Sequence, residues 1–212
     1  MTTVVYLIRH GATAVNREIP NRLQGKGIDL PLDPIGREQA ARAAEALASH
    51  PLRAVYASPM LRALETASIV AVPHGLAPIP VEDIIEADVG RWEGLTWAEA
   101  SAQDPEQHDQ FHANPGTVPY PGGESFQDVQ RRSVPALAAL AASHAGERIA
   151  VIAHNVVNRA VLASLLGLPI DLARALRQSN CGINVLHYHR AGRVELFAMN
   201  ACLHLEGLEP GP

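Results

Sequence analysis

VVYLIRHGAT, residues 4–13, is the stretch on which the fold turns. Val4, Val5, Tyr6, Leu7 and Ile8 form an unbroken apolar run, the pattern of a strand buried on both faces. The run stops at Arg9, His10 and Gly11. A guanidinium, an imidazole and a glycine therefore stand together at the carboxyl end of a buried strand, the end at which open α/β sheets bind ligands. A second apolar run, RIAVIAH at 148–154, ends the same way at His154. Two buried strands that each deliver a histidine point to a site rather than to two solvated turns.

Composition bounds what the site could serve. The chain has 212 residues, 47% of them hydrophobic, enough for a sizeable core, and a formal net charge of −5. No basic excess argues for nucleic acid or for an anionic membrane surface as partner. A site for an anion must then be positive locally, against the overall sign. No apolar run reaches the about 18 residues a membrane helix needs, and the chain enters a strand almost at once, without a leader. These features predict a cytoplasmic protein with reduced thiols, Cys181 and Cys202 serving as core residues.

Outward from the first strand, residues 14–35 carry no helical or strand period and read as an ordered loop, with Asn16, Gln24 and the backbone near Gly25 as candidate donors to an anion. Residues 36–49 repeat alanines on one helical face. RAVYASP (53–59) reads as a second buried strand, after which Ser58 caps a helix with Pro59 in its first turn. Arg62 lies early in that helix, able to reach back to the strand ends, with Thr66 one turn further on the same face. A Pro-rich connection follows, then the acidic segment VEDIIEADVGRWEG (81–94). Residues 96–121 read as two short helices and a Pro/Gly-rich loop, a cap spanning about 92–124. GGES (122–125) starts a further helix that Pro135 should kink or interrupt. After the strand at 148–153, Asn155 begins a helix and can cap it, while Asn158 and Arg159 make structural contacts. A short helix over 171–177 and a hairpin, GINVLHY and RVELFAM, complete the chain. Strands alternating with helices predict an α/β fold in one domain, 1–212: a three-layer α/β/α sandwich around a mostly parallel sheet, with a small cap insertion.

LIRHGAT with Asn16, SPMLRALETA (58–67), EADVGRWEG (86–94) and VIAHN (151–155) resemble, in content, order and spacing, the histidine phosphatase superfamily of the phosphoglycerate-mutase-like fold. The resemblance covers nearly the whole chain. It implies phosphoryl chemistry at Arg9, His10, Arg62 and His154. It also puts the proton-transfer carboxylate a few residues before GxWEG, at Glu86, with Glu82 as the structural competitor. A carboxylate beside a dianion has its pKa raised by like charge, which suits a general acid. The chain departs from the family at Asn155, where glycine is usual. It departs again between Trp92 and Gln130, which hold no lysine or arginine. The family's mutases carry basic residues there that grip a second anionic group. Here stand Trp97, His108, Phe111, His112 and Tyr120, each expected to pack, and together favouring a substrate whose remainder is neutral or modestly polar.

No P-loop and no carboxylate cluster with metal spacing is present, so no metal or other cofactor is implied and cationic side chains must neutralise the transferred group. Arg9, Arg62 and protonated His154 supply that charge; the guanidinium fork suits phosphate. Asn16, Gln24, Gly25 and the helix-start amide at Asn155 add donors. His10 is the expected nucleophile, its other ring nitrogen held by a backbone carbonyl near Gly11. Glu86 protonates the departing alkoxide and later takes a proton from water, so that one hard displacement becomes two easier ones. The expected activity is a phosphomonoesterase acting on a small phosphorylated metabolite. A mutase that returns the phosphoryl group to the same substrate, and a catalytically silent phospho-ligand binder, are the rivals. His187 and His189 form an H-x-H pair on one sheet face without an evident third metal ligand, and His204 is a weak substrate-contact candidate. The hairpin at 182–199 offers an edge for a homodimer.

Overall fold

The apolar run forms strand β1 (Thr3–Arg9), and the computed structural model builds around it a six-stranded sheet that also contains β2 (Leu52–Ala57), β3 (Pro78–Pro80), β4 (Arg148–Ala153), β5 (Ile183–Tyr188) and β6 (Val194–Ala201). The structure describes residues 1–208; positions 209–212 of the expected domain lie outside the described residues. Strand order is β3-β2-β4-β1-β5-β6. β1, β2, β3 and β4 pair in parallel, whereas the terminal hairpin adds β5 and β6 antiparallel. The mostly parallel sheet expected from the β–α alternation is thus the one observed.

Alternate residues of the central strands feed two separate cores. Val5, Leu7, Ile149 and Val151 pack with Val129, Leu137 and Ala160 of helices α5 (Phe126–Ser143) and α6 (Asn155–Leu165). Tyr6, Ile8, Ala150 and Ile152 pack on the other face with Ala40, Ala43, Ala63 and Ala67 of α1 (Pro34–Leu47) and α2 (Leu61–Ala71). Both faces of the sheet are covered, which is why its inner strands read as continuous apolar runs rather than alternating ones. Each fully buried aliphatic side chain contributes about 1.5–3 kcal/mol.

Several local expectations are corrected. α1 begins at Pro34, two residues early, because Asp33 accepts from the Gly36 amide at 2.6 Å and Pro34 takes the first helical position. α2 begins at Leu61 with Met60 as its N-cap and no side-chain cap bond; the Ser58 hydroxyl accepts from the Met60 amide at 3.4 Å and also bonds His154, as described below. Pro135 does not interrupt α5, an 18-residue helix anchored through Val129, Leu137 and Ala141. The loss of one hydrogen bond is outweighed there by burial on both sides of the proline. The Pro-rich connection contains β3, an edge strand, where a missing N–H is tolerated. Residues Ile170–Ala175 form a 3-10 turn in place of the expected helix. The region expected to cap the site holds α3 (Trp97–Gln103) and α4 (Pro105–Ala113).

Candidate active site

The parallel register of β1 and β4 pairs Arg9 with Ala153, which sets His10 beside His154 at the carboxyl ends of adjacent strands. The His10 amide donates to the Ala153 carbonyl at 3.0 Å, and the two imidazole centroids lie 5.1 Å apart. Just beyond, the backbones of Gly11 and Gly36 approach so closely that a Cβ on either would collide with the other's neighbourhood, which explains the glycine of the RHG triplet. His10 Nδ1 donates to its neighbour's carbonyl, Gly11 O, at 2.7 Å. That bond, expected from the sequence, leaves a lone pair on Nε2, which accepts from Arg62 Nε at 3.2 Å.

Arg62 is fully buried at the second position of α2. Its remaining nitrogens donate to Ile28 O (2.9 Å) and Gly25 O (3.1 Å), and Thr66 ties the assembly together by accepting from the Gly11 amide and donating to Arg62 O. Arg9 is held through Nη1 to Gln178 O at 2.7 Å, leaving a buried Nε without a partner. His154 is hydrogen-bonded through Nε2 to the Ser58 hydroxyl at 2.7 Å, while its Nδ1 is buried and unpartnered. Ser58 therefore orients a histidine rather than capping α2.

Arg9, His10, Asn16, Gln24, Glu86 and Asn155 all line one cavity of about 350 Å³. Glu86 is buried, its carboxylate accepting from the Ala87 amide at 2.9 Å and the Val156 amide at 3.3 Å, whereas Glu82 is exposed. Asn16 and Gln24 brace each other, Asn16 Nδ2 donating to Gln24 Oε1 at 3.1 Å. Gly25 does not join them. Its amide donates to Glu93 Oε1 at 2.7 Å and its carbonyl holds Arg62, so it shapes the loop and is not available to an anion. Asn155 does not cap α6 either: His154 is the N-cap residue, and the Asn155 Oδ1 is buried without a partner.

Burial, then the Arg62 charge, hold both His10 and His154 well below the ordinary imidazole value. The free site accordingly contains two neutral rings, and the expectation that His154 carries charge is corrected for this state. A dianion in the cavity reverses the Coulomb balance. Arg9 is pushed down to about 10 by burial, countered in part by Glu86, and remains charged at neutral pH.

Of the cap residues, Trp97 and Tyr120 line the cavity, and Phe111 is buried 4.3 Å (centroid to centroid) behind Tyr120. His108 and His112 pack on the Trp97 ring at 6.1 and 5.0 Å. Four more lining residues, Arg22, Arg159, Arg174 and Arg177, were not anticipated as site residues. The stretch without lysine or arginine therefore does not leave the cavity neutral, because basic residues arrive from elsewhere. The only hint in the sequence is the i, i+3 spacing of Arg174 and Arg177. His187 stacks on Phe197 and His189 pairs with Glu195, while His204 bonds the Cys181 carbonyl away from the cavity.

Comparison with known proteins gives a consistent picture. The model of the histidine phosphatase superfamily (branch 1) matches residues 5–200. A metal-independent phosphoserine phosphatase of Arabidopsis thaliana is 35% identical over 87% of this chain and 76% of its own length. Phosphoserine phosphatase 1 of Hydrogenobacter thermophilus is 30% identical over 94% and 92%. The native structure of a mycobacterial glucosyl-3-phosphoglycerate phosphatase superposes with a TM-score of 0.83 at 30% identity, covering 95% of this chain and all of that one.

Proposed function

Because the chain belongs to the histidine phosphatase superfamily, we propose that it is a phosphomonoesterase that hydrolyses a small phosphorylated metabolite through a phosphohistidine intermediate. The observation that carries this reading is that His10 lines one cavity with Arg9 and Glu86 while His154 and Arg62 pack directly against its ring.

His10 Nε2 attacks phosphorus in line, its tautomer set by the Gly11 carbonyl. The N–P bond forms as the P–O bond to the alcohol breaks, and Glu86 gives its proton to the departing alkoxide. Arg62 Nε occupies the nucleophile's lone pair in the free site, so it must turn from Nε2 onto a phosphoryl oxygen as the anion enters. Arg9 Nε, His154 Nδ1 and the start of α6 meet the other oxygens. Water then attacks phosphorus and passes a proton to Glu86, and the P–N bond breaks to release inorganic phosphate. Asn16 and Gln24, which line the same cavity, are read as donors to the anion, and residues 92–124 as the cap. No described helix is long and apolar enough to cross a membrane, and Cys181 and Cys202 are free thiols, in keeping with a cytoplasmic enzyme.

Phosphoserine is the first substrate to assay, given the two relatives named for it. His10→Ala is expected to abolish phosphate release and to prevent acid-labile phosphate from accumulating on the protein in an acid-quench experiment. Turnover at the wild-type rate in that variant overturns the proposal.

A further inference from the structure

Glu86, the proton donor of the mechanism, stands on backbone with no regular structure of its own. A single 3-10 turn, Glu82–Ile84, precedes it, and residues 85–89 belong to neither helix nor strand. An acid that must meet a departing oxygen within hydrogen-bond reach needs a fixed origin. The bonds from the Ala87 and Val156 amides engage the Glu86 carboxylate itself, and the backbone beneath it must be held by other means.

Arg132 supplies them from α5, a regular helix anchored in the core. Its Nη1 donates to Ile85 O at 2.7 Å and to Asp83 O at 2.9 Å, and its Nη2 donates to Glu86 O at 3.3 Å. The same fork grips Glu124, Nε to Oε1 at 2.8 Å and Nη2 to Oε2 at 3.0 Å. Glu124 closes on the other side of Glu86. Its Oε2 accepts from the Asp88 amide at 2.9 Å, and its own amide donates to Asp88 O at 2.8 Å. Arg132 and Glu124 thus hold the chain both before and after the acid. Helix capping does not account for Glu124, because Ser125 caps α5 and Asp128 completes that box. A partly exposed ion pair adds little to stability; what this one adds is a fixed place for the backbone it binds.

We propose that Arg132, braced by Glu124, is a positioning residue for proton transfer by Glu86: a planar fork on a rigid helix sets where an irregular loop presents its carboxylic acid. Neither side chain is among those that line the cavity. The inference rests on the phosphatase reading, with Glu86 as its acid.

The test compares kcat/KM, which reports phosphoryl transfer to His10, for two aryl phosphates. p-Nitrophenolate leaves without a proton, whereas phenolate is the poorer leaving group and draws on the acid. Arg132→Lys keeps the positive charge that His154 senses and loses the fork. It is expected to lower kcat/KM for phenyl phosphate about tenfold or more, and for p-nitrophenyl phosphate less than about twofold. Placed in the Glu86→Gln protein, the same change should cost less than about twofold on either substrate, since no acid remains to be misplaced. Glu124→Gln, which gives up one acceptor at nearly the same shape, should act in the same direction and carries the test if urea unfolding shows Arg132→Lys to be unfolded. Equal losses on both substrates, losses that multiply in the double variant, or an unchanged phenyl phosphate rate in both single variants overturn the inference while the phosphatase reading stands. Equal losses on both substrates in Glu86→Gln remove the acid and the positioning role with it, again without touching the phosphatase reading. Release of phosphate by the wild type from neither aryl phosphate nor phosphoserine sinks both.

Discussion

The neutral histidine pair makes folding stability depend on pH in a way that a single substitution can isolate. Burial and the neighbouring guanidiniums hold His10 and His154 well below 6.5 in the folded protein, whereas both titrate near 6.5 once unfolded. Below that pH the unfolded chain binds more protons than the folded one, so stability falls as pH drops and is fully present above 6.5. While a folded ring stays neutral, the slope approaches about 1.4 kcal/mol per pH unit for that ring well below 6.5 and is half that at 6.5. Integrated from about pH 7.5 to about pH 5.5, each ring costs about 1.4 kcal/mol, against a total stability of about 5–15 kcal/mol for a domain. His74, His112 and His204 are also lowered and act in the same direction, so the wild-type curve alone mixes several groups. His154→Gln removes one titrating ring and keeps an amide that can bond the Ser58 hydroxyl, now met at 2.7 Å. Urea unfolding at a series of pH values is expected to show the wild type losing about 1.4 kcal/mol more than the variant across this range. Parallel curves for the two proteins would refute the assignment of His154 as a buried neutral imidazole.

Three further outcomes follow from the site's geometry. Glu86→Gln should slow hydrolysis of phosphoserine by about 10²–10⁴-fold but p-nitrophenyl phosphate far less, since p-nitrophenolate leaves without a proton; equal losses on both would remove Glu86 from the acid role. Arg62→Lys replaces a fork that spans His10, Ile28 O and Gly25 O with a point charge, and kcat/KM is expected to fall about 10²–10³-fold at unchanged fold by circular dichroism. With 3-phosphoglycerate, phosphorus NMR should register inorganic phosphate as the product; 2-phosphoglycerate appearing ahead of phosphate would favour the mutase rival.

What could be read from the sequence, and what could not, divides along the two ends of the cavity. The phosphoryl end is made by strand termini. An apolar run that stops at a histidine is a one-dimensional signal, and parallel pairing in register converts two such signals into one place. The Gly11 carbonyl that holds His10 is one residue away, so it too was legible. Ser58 was misread because Ser-Pro before a helix is a local cap signature, and the partner that outcompetes it, His154, lies 96 residues further on. Gly25 was misread for the same reason: a loop amide looks free until Glu93, 68 residues later, accepts from it. The alcohol end has no local signature at all. Arg159 reads as a structural contact of its helix, and Arg174 and Arg177 as residues of a short helix. They line one cavity because α6 packs against the turn at Ile170–Ala175, bringing Leu176 O to Arg159. The charge of a cavity is a sum over every segment that reaches it, so a count of basic residues in one segment cannot bound that sum. The empty stretch between Trp92 and Gln130 showed where one kind of grip is missing; whether the cavity is neutral was decided by chain that enters it from the other side.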